Sequence, residues 1–219
     1  MTTRTREELV EFVRRRTAPA PVPLCPELLV QQATEATALW HATSSELAGW
    51  DDAPFWAFPW AGGQALARLV LDRPALVRGR AVFDFAAGSG LCGLAAARAG
   101  AASVVALDHD PACEAVLSVN AALNGLALGF RGGDPIGAPL EGCEVLLAGD
   151  VFYERPLAER SAAWFRALAG AGVLVLAGDA GRHYAPAEGY EVLATYEVPT
   201  TTAIEDADVR AARVLRFLP

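Results

Sequence analysis

The chain has 219 residues, 53% of them hydrophobic, enough for one good-sized α/β core with an extension. Its formal net charge of −8 argues against a nucleic-acid partner, which would demand a basic face. No apolar stretch is long enough to span a membrane. All 18 basic residues are Arg, in keeping with the excess of Ala and Gly. Cys25, Cys92, Cys113 and Cys143 show neither a C-x-x-C pair nor metal-ligand spacing, and His41, His109 and His183 are scattered. The cysteines therefore read as reduced thiols, and no metal is expected. The N-terminus lacks a secretory apolar core, and Glu7, Glu8 and Glu11 argue against a transit peptide, so a cytoplasmic monomer is expected.

Residues 6–16 carry Leu9, Val10 and Val13 at helical spacing. Ala18 to Pro26 is Pro-rich and must be extended. A second helix is predicted from Pro26, with Leu29, Ala33, Ala36 and Trp40 as its apolar stripe. An aromatic cluster follows, Trp50, Phe55, Trp56, Phe58 and Trp60. Gly62-Gly63-Gln64 then opens a helical pattern that runs to about Leu71 and stops before Pro74.

From Arg80 onward strands alternate with helices, the sign of a parallel sheet. Strands are predicted near 80–85, 103–107, 127–131, 143–148 and 172–177, and helices near 90–99, 111–124 and 156–169. After Gly189 the pattern changes to two strands, 190–198 and 210–218. Their loop, Pro199–Val209, carries Glu205, Asp206 and Asp208. The expected fold is α/β: a Rossmann-like seven-stranded sheet of five parallel strands plus a C-terminal antiparallel hairpin, flanked by helices. Residues 1–60 would form an N-terminal helical extension and residues 61–219 one compact domain.

The run Val82-Phe83-Asp84-Phe85-Ala86-Ala87-Gly88-Ser89-Gly90-Leu91-Cys92-Gly93 is the most informative stretch. An apolar strand ends in an acid, a small-residue turn follows, and a helix begins. Glycines there let the backbone approach a ligand and take positive φ. Val104-Val105-Ala106-Leu107 leads to Asp108, eighteen residues after Gly90, where a carboxylate can accept hydrogen bonds from ribose hydroxyls. Gly88-x-Gly90-x-x-Gly93 fits the dinucleotide fingerprint. Asp84 argues against it, because a carboxylate before the loop would repel a pyrophosphate. A methionine moiety with an α-amine and a sulfonium would welcome the acid, which points to S-adenosylmethionine as cofactor. Asp84, Gly88, Ser89, Gly90, Asp108 and Gly149 are the candidate cofactor residues. Asp134, at the end of the third strand, could hold the adenine amino group, or simply form the turn before Pro135. Asp110-Pro111 reads as a helix N-cap with proline following.

Asp150 and Tyr153 lie three apart at the end of the fourth strand, where an acceptor must enter. A carboxylate and a phenol can orient an amine for in-line displacement and steer its proton away. They are the candidate catalytic pair. The alternative is that Asp150 caps the next helix and Tyr153 packs beneath it.

Asp84-x-Ala86-x-Gly88-x-Gly90 resembles the cofactor motif of class I methyltransferases, with Ala86 standing where a glycine is usual. Asp150-x-x-Tyr153 resembles the seven-strand protein-lysine methyltransferases. Phe55-Trp56-Ala57-Phe58-Pro59-Trp60-Ala61-Gly62-Gly63-Gln64, Leu107-Asp108-His109-Asp110-Pro111 and Gly178-Asp179-Ala180-Gly181-Arg182 resemble the group that modifies the β-subunit of electron transfer flavoprotein. The resemblance runs from about residue 25 to the end, with Ala180 and His109 as further departures. It implies that Trp60 lies against the cofactor and that the substrate is the flavoprotein β-subunit. The acids of Pro199–Val209 are expected to draw in a positively charged protein segment through long-range attraction that salt weakens. Other acceptors, a ribosomal protein or a small amine such as nicotinamide, fit the same residues. An NAD(P)-binding oxidoreductase and a catalytically silent binding protein are the rivals from other classes.

Overall fold

The computed structural model describes residues 5–34, 39, 53–110 and 112–219. Ala36, Trp40, His41, Trp50 and Pro111 lie outside the described residues. Helix α1 spans Arg6–Arg16. Thr5 and Glu8 form a reciprocal capping box at its start, and Arg14, Arg15 and Arg16 sit at its negative end.

The predicted second helix is instead a strand. Strand β1 (Thr17–Val22) and strand β2 (Cys25–Ala33) form an antiparallel hairpin closed by a turn at residues 23–24. Leu28 and Val30 are buried while Leu29 is 36% exposed, so the apolar side chains repeat at two and not at 3.6. The cause lies in the preceding segment. Pro19 and Pro21 hold β1 extended, and a prolyl residue is tolerated in an edge strand. Once that strand exists, pairing outweighs the helical spacing of Leu29 and Ala33.

After a short 3-10 turn at Phe55–Ala57, helix α2 spans Ala61–Asp72. The main sheet follows, with β3 (Ala81–Phe85), α3 (Leu91–Arg98), β4 (Ser103–Asp108), α4 (Ala112–Asn124), β5 (Gly129–Gly132), β6 (Val145–Gly149), α5 (Arg155–Gly170), β7 (Leu174–Asp179), β8 (Tyr190–Pro199), a one-turn α6 (Thr202–Glu205) and β9 (Val209–Phe217). The strand order is β5-β4-β3-β6-β7-β9-β8. The first five strands are mutually parallel, and β9 runs antiparallel to both β7 and β8. This is the seven-stranded plan expected from the sequence. The order reverses between β4 and β6 around β3, which puts the ligand crevice beyond the carboxyl ends of those strands.

The strands are buried on both faces. Val82, Leu147 and Leu176 face α2 and α3, and Phe83, Phe85, Leu146 and Val175 face Trp164 and Phe165 of α5. A third cluster joins α1 to α4 through Phe12, Val13 and Val116 and takes in Leu39, Trp56 and Phe58. No helix among the described residues is long and apolar enough to cross a membrane.

Helix α2 comes unusually close to the sheet. A Cβ on Gly62 would lie 2.7 Å from the Gly178 carbonyl oxygen and 3.0 Å from Cβ of Asp150. A Cβ on Gly149 would lie 3.0 Å from Cα of Gly63. Gly62→Ala should therefore cost about 1–3 kcal/mol of stability, the scale of overpacking against backbone that cannot move. Gly170→Ala, at the open end of α5 with nothing near its Cβ position, should not destabilise the fold. Urea denaturation of both variants tests the contrast; equal stability would mean the contact can relax.

Candidate active site

A cleft of about 670 Å³ opens at the carboxyl ends of β3, β4 and β6, within the range of small-molecule and cofactor sites. One side is built from the turn after β3. Ala86 has φ +51° and Gly90 φ +77°, so the chain doubles back before α3 starts. A Cβ on Gly90 would collide with Leu117 of α4. Two acids and an amide hold this turn. Asp84 Oδ2 accepts from the Gly93 N–H at 2.8 Å. Asp108 Oδ2 accepts from the Gly88 N–H at 2.9 Å, and its Oδ1 from the Asp110 N–H at 3.0 Å. Asn120 of α4 donates to the Ser89 carbonyl at 2.8 Å and accepts from the Gln31 N–H of β2 at 2.8 Å.

Asp84 is 1% exposed, and burial pushes its carboxyl up to about 8. The Gly93 N–H opposes that rise, and the charge on Asp108 adds to it. Asp134 is exposed at the cleft rim. Its Oδ1 accepts from the Ile136 N–H at 3.0 Å, and its Oδ2 pairs with Arg160 at 2.6 Å. Partial burial raises it, but Arg160 and the Ile136 N–H outweigh that and hold it below the usual range. Its turn geometry follows from the Asx-turn habit of aspartate.

The opposite side gathers around Asp150. This residue is 5% exposed, and its φ of +65° is rare for a side chain other than glycine. Its N–H donates to the Gly178 carbonyl at 2.9 Å. Its carboxylate accepts from the Gly62 N–H at 2.9 Å, in the first turn of α2. Arg182 grips the same carboxylate with two bonds, Nε to Oδ1 at 2.6 Å and Nη2 to Oδ2 at 2.9 Å. Arg182 Nη2 also reaches Glu205 Oε1 at 3.0 Å, and Glu205 accepts from the Ala61 N–H at 3.2 Å. Burial opposes the charge on Arg182, and the two carboxylates outweigh burial and raise its basicity. The guanidinium lies over the Trp60 ring, 5.7 Å from its centroid. Trp60, Phe55 and Tyr153 make an aromatic mouth, with Phe55 6.0 Å from Trp60 and 5.2 Å from Tyr153 between ring centroids. Tyr153 is 41% exposed.

Every candidate site residue named from the sequence thus falls on or beside one cleft. Trp60, Asp84, Gly88, Ser89, Asp108, Asp134, Gly149, Asp150 and Tyr153 line it, and Gly90 shapes the turn behind it. Asp150 caps a helix, as one reading of the sequence allowed, but the helix is α2 and not the one that follows it. One expectation needs correction. Glu205 is not a solvent-facing acid of the C-terminal loop: it is 3% exposed and points into the protein, whereas Asp206 and Asp208 are exposed. The reason is that α6 folds back on the start of α2, where a carboxylate meets backbone N–H groups and the helix dipole. Arg182 and Asn120 drew no functional role from sequence alone, and Glu205 drew a different one. Their pairings join residues far apart in the chain, so no local spacing signals them.

The donor set distinguishes between cofactors. The turn after β3 is flanked by two carboxylates, and the cleft cations Arg160 and Arg182 are both paired to acids. A pyrophosphate would meet the Asp108 carboxylate there, with both arginines already engaged. A ribose diol and an α-ammonium would meet acceptors. These features fit S-adenosylmethionine, with Asp108 for the ribose and Asp84 toward the amino-acid end, and they define a class I methyltransferase. The family model for ribosomal protein L11 methyltransferase matches residues 65–132. The crystal structure of a ribosomal protein L11 methylase from Lactobacillus delbrueckii subsp. bulgaricus shares the fold. It has a TM-score of 0.50 and 23% identity, over 72% of this chain and 79% of that one.

The electron transfer flavoprotein beta subunit lysine methyltransferase of Xenopus laevis is 33% identical over 214 residues, 95% of this chain and 86% of the relative. Its counterpart in Danio rerio is 34% identical over 202 residues, 89% of this chain and 77% of the relative. The chain belongs to this family of S-adenosylmethionine-dependent methyltransferases.

Two measurements follow. Asp108→Ala should weaken S-adenosylhomocysteine binding at least tenfold, since hydrogen bonds to a charged acceptor are worth about 1.5–3 kcal/mol each. Binding of the cofactor, with its cationic amino group, should expel the proton from Asp84. Affinity should then rise with pH up to about 8, and calorimetry in buffers of different ionisation enthalpy should register proton release that vanishes in Asp84→Asn. In the free protein the sign is opposite for stability. The folded chain binds the extra proton, so stability falls as pH rises from the ordinary carboxyl range to about 8.

Proposed function

We propose that this chain methylates lysine side chains of an electron transfer flavoprotein β-subunit, acting as a monomer in the cytoplasm. The supporting observation is the likeness to the Xenopus laevis enzyme across 95% of the chain, with an acid and a phenol at the mouth of the donor cleft. The net charge of −8 favours a basic protein segment over a nucleic acid. S-Adenosylmethionine, when bound, supplies an electrophilic methyl group on sulfur, which an amine lone pair displaces with the bonding electrons left on sulfur.

The chain's own part is alignment and proton management. A lysine ammonium has no lone pair and must lose a proton first, against an ordinary pKa of about 10.4. Asp150 Oδ1 accepts from Arg182 Nε, and a carboxylate oxygen has two acceptor directions, so it can also orient the incoming amine. Tyr153 and Phe55 flank the entry and shield the aliphatic stem of the side chain. The match to the ribosomal protein L11 methyltransferase family favours a ribosomal protein as a second reading. That match covers only α2 to β5, which build the donor half of the cleft.

The test is incubation with labelled S-adenosylmethionine and recombinant electron transfer flavoprotein from the same organism, followed by site mapping. Label should appear on lysine of the β-subunit. The enzyme itself contains no lysine, so label on it cannot come from side-chain lysine modification. Efficient methylation of a small amine with the flavoprotein unmodified would reject the assignment. Asp150→Asn should lower turnover by about two orders of magnitude, the scale of a positioned acid–base group, with S-adenosylhomocysteine affinity little changed.

A further inference from the structure

The acceptor side carries more charge than a hydrogen-bond acceptor for one amine requires. Asp150 and Glu205 converge on consecutive N–H groups at the start of α2, at 2.9 and 3.2 Å. Both carboxylates have side chains only 2% exposed. Arg182 bonds to both, while Arg210 approaches only Glu205, its Nε 3.7 Å from Oε2. Two acids are thus matched by two guanidiniums, and Arg182 is the one that cancels Asp150.

Arg182 is itself held from behind. Its N–H donates to Asp179 Oδ1 at 3.0 Å, and Asp179, fully buried, is paired with Arg213 at 2.7 Å. The guanidinium is fixed at the end of β7 against the Trp60 face. It does not depend on a ligand for its position.

We propose that Arg182 is a positioning residue for methyl transfer, which cancels the charge of Asp150, as Arg210 offsets that of Glu205, so that the cleft receives the neutral amine and does not hold the ammonium. The proposal rests on the reading of this site as a lysine N-methyltransferase. An uncompensated Asp150 would favour the ammonium, because an opposite charge within about 4–6 Å shifts a pKa by about 1–3 units toward the charged form. The protonated amine would bind well and react badly. With Arg182 in place, Asp150 keeps its lone pairs and its orientation but loses most of its field. The left-handed backbone of Asp150 is secured by the same grip.

Other titratable groups face the same space. Asp84, Asp108, His109 and Asp110 lie on the cofactor side, Asp134 is paired with Arg160 at the rim, and Tyr153 and Glu154 stand at the mouth. None of them is altered in the variants below, so a difference between variants reports the balance around Arg182.

The experiment measures kcat and KM for the flavoprotein from about pH 6.5 to 10 with the full chain. The variants are Arg182→Gln, Arg182→Lys, Glu205→Gln and the double variant Arg182→Gln/Glu205→Gln. Wild-type transfer to lysine is established first; its absence overturns the function proposed above and this proposal with it. Arg182→Gln should lower kcat at least tenfold near neutral pH and move the midpoint of the rising pH limb up by about one pH unit or more. KM for the protein should stay level or fall, and S-adenosylhomocysteine affinity should not change. Glu205→Gln should move the midpoint down, and the double variant should bring it back near wild type. Arg182→Lys keeps the charge but not the two-pronged grip, so it should lose kcat with the midpoint nearly in place. A uniform loss of kcat in Arg182→Gln with an unmoved midpoint would reduce Arg182 to scaffold and overturn the proposal. Should Arg182→Gln fail to fold, Glu205→Gln decides: a midpoint that stays or rises overturns it equally.

Discussion

The site depends on how closely the start of α2 lies against the ends of β6 and β7. Gly62 faces Gly178 with no room for a side chain on either, and a Cβ on Gly149 would press on Cα of Gly63. Gln64, one residue on, is buried and anchors three segments, accepting from the Leu24 N–H and donating to the Pro59 and Pro199 carbonyls. The result is a helix terminus whose first N–H groups open directly onto the strand ends. Such a terminus attracts anions, and two carboxylates from distant segments take it up. An apolar or bulkier start to α2 would push the helix away and leave Asp150 without its backbone donor.

The cofactor side is organised by a different device. There the acids do not wait for a ligand; they hold backbone. Asp84 fastens the first turn of α3, and Asp108 fastens both its own loop and Gly88. The turn is therefore shaped before any ligand arrives, which lowers the ordering cost of binding. Ala86 takes a left-handed conformation where glycine would be easier, a strain of about 1–2 kcal/mol that the surrounding bonds must absorb.

Much of this was legible in the sequence. The alternation of short apolar runs with Ala-rich helices marked the parallel strands to within two residues of their observed ends. Asp84, Asp108 and Asp150 could be singled out because acids at strand ends have no packing purpose. The hairpin at 17–33 was not legible: Leu29 and Ala33 have helical spacing, and only pairing with the proline-held strand before them decides otherwise. Glu205 was equally hidden. Its neighbours Asp206 and Asp208 are solvent-facing, and nothing local distinguishes the one acid that turns inward to α2. Arg182 stands in a glycine-rich loop whose sequence says turn, while its role is fixed by residues 32 positions before it and 23 after it.

Helix α4 also settles a matter of colloidal behaviour. Asn124 accepts from the Leu29 N–H at 3.0 Å and donates to the Leu29 carbonyl at 2.6 Å, the pair of bonds that a neighbouring strand would make. Asn120 takes the Gln31 N–H, the next outward-facing donor along β2. Two asparagines on successive turns of a helix thus impersonate a strand along the outer edge of a two-stranded ribbon. A bare edge of that kind is a template for pairing with other chains. By satisfying it within the molecule, α4 removes from β2 the backbone groups through which copies of the protein could zip together.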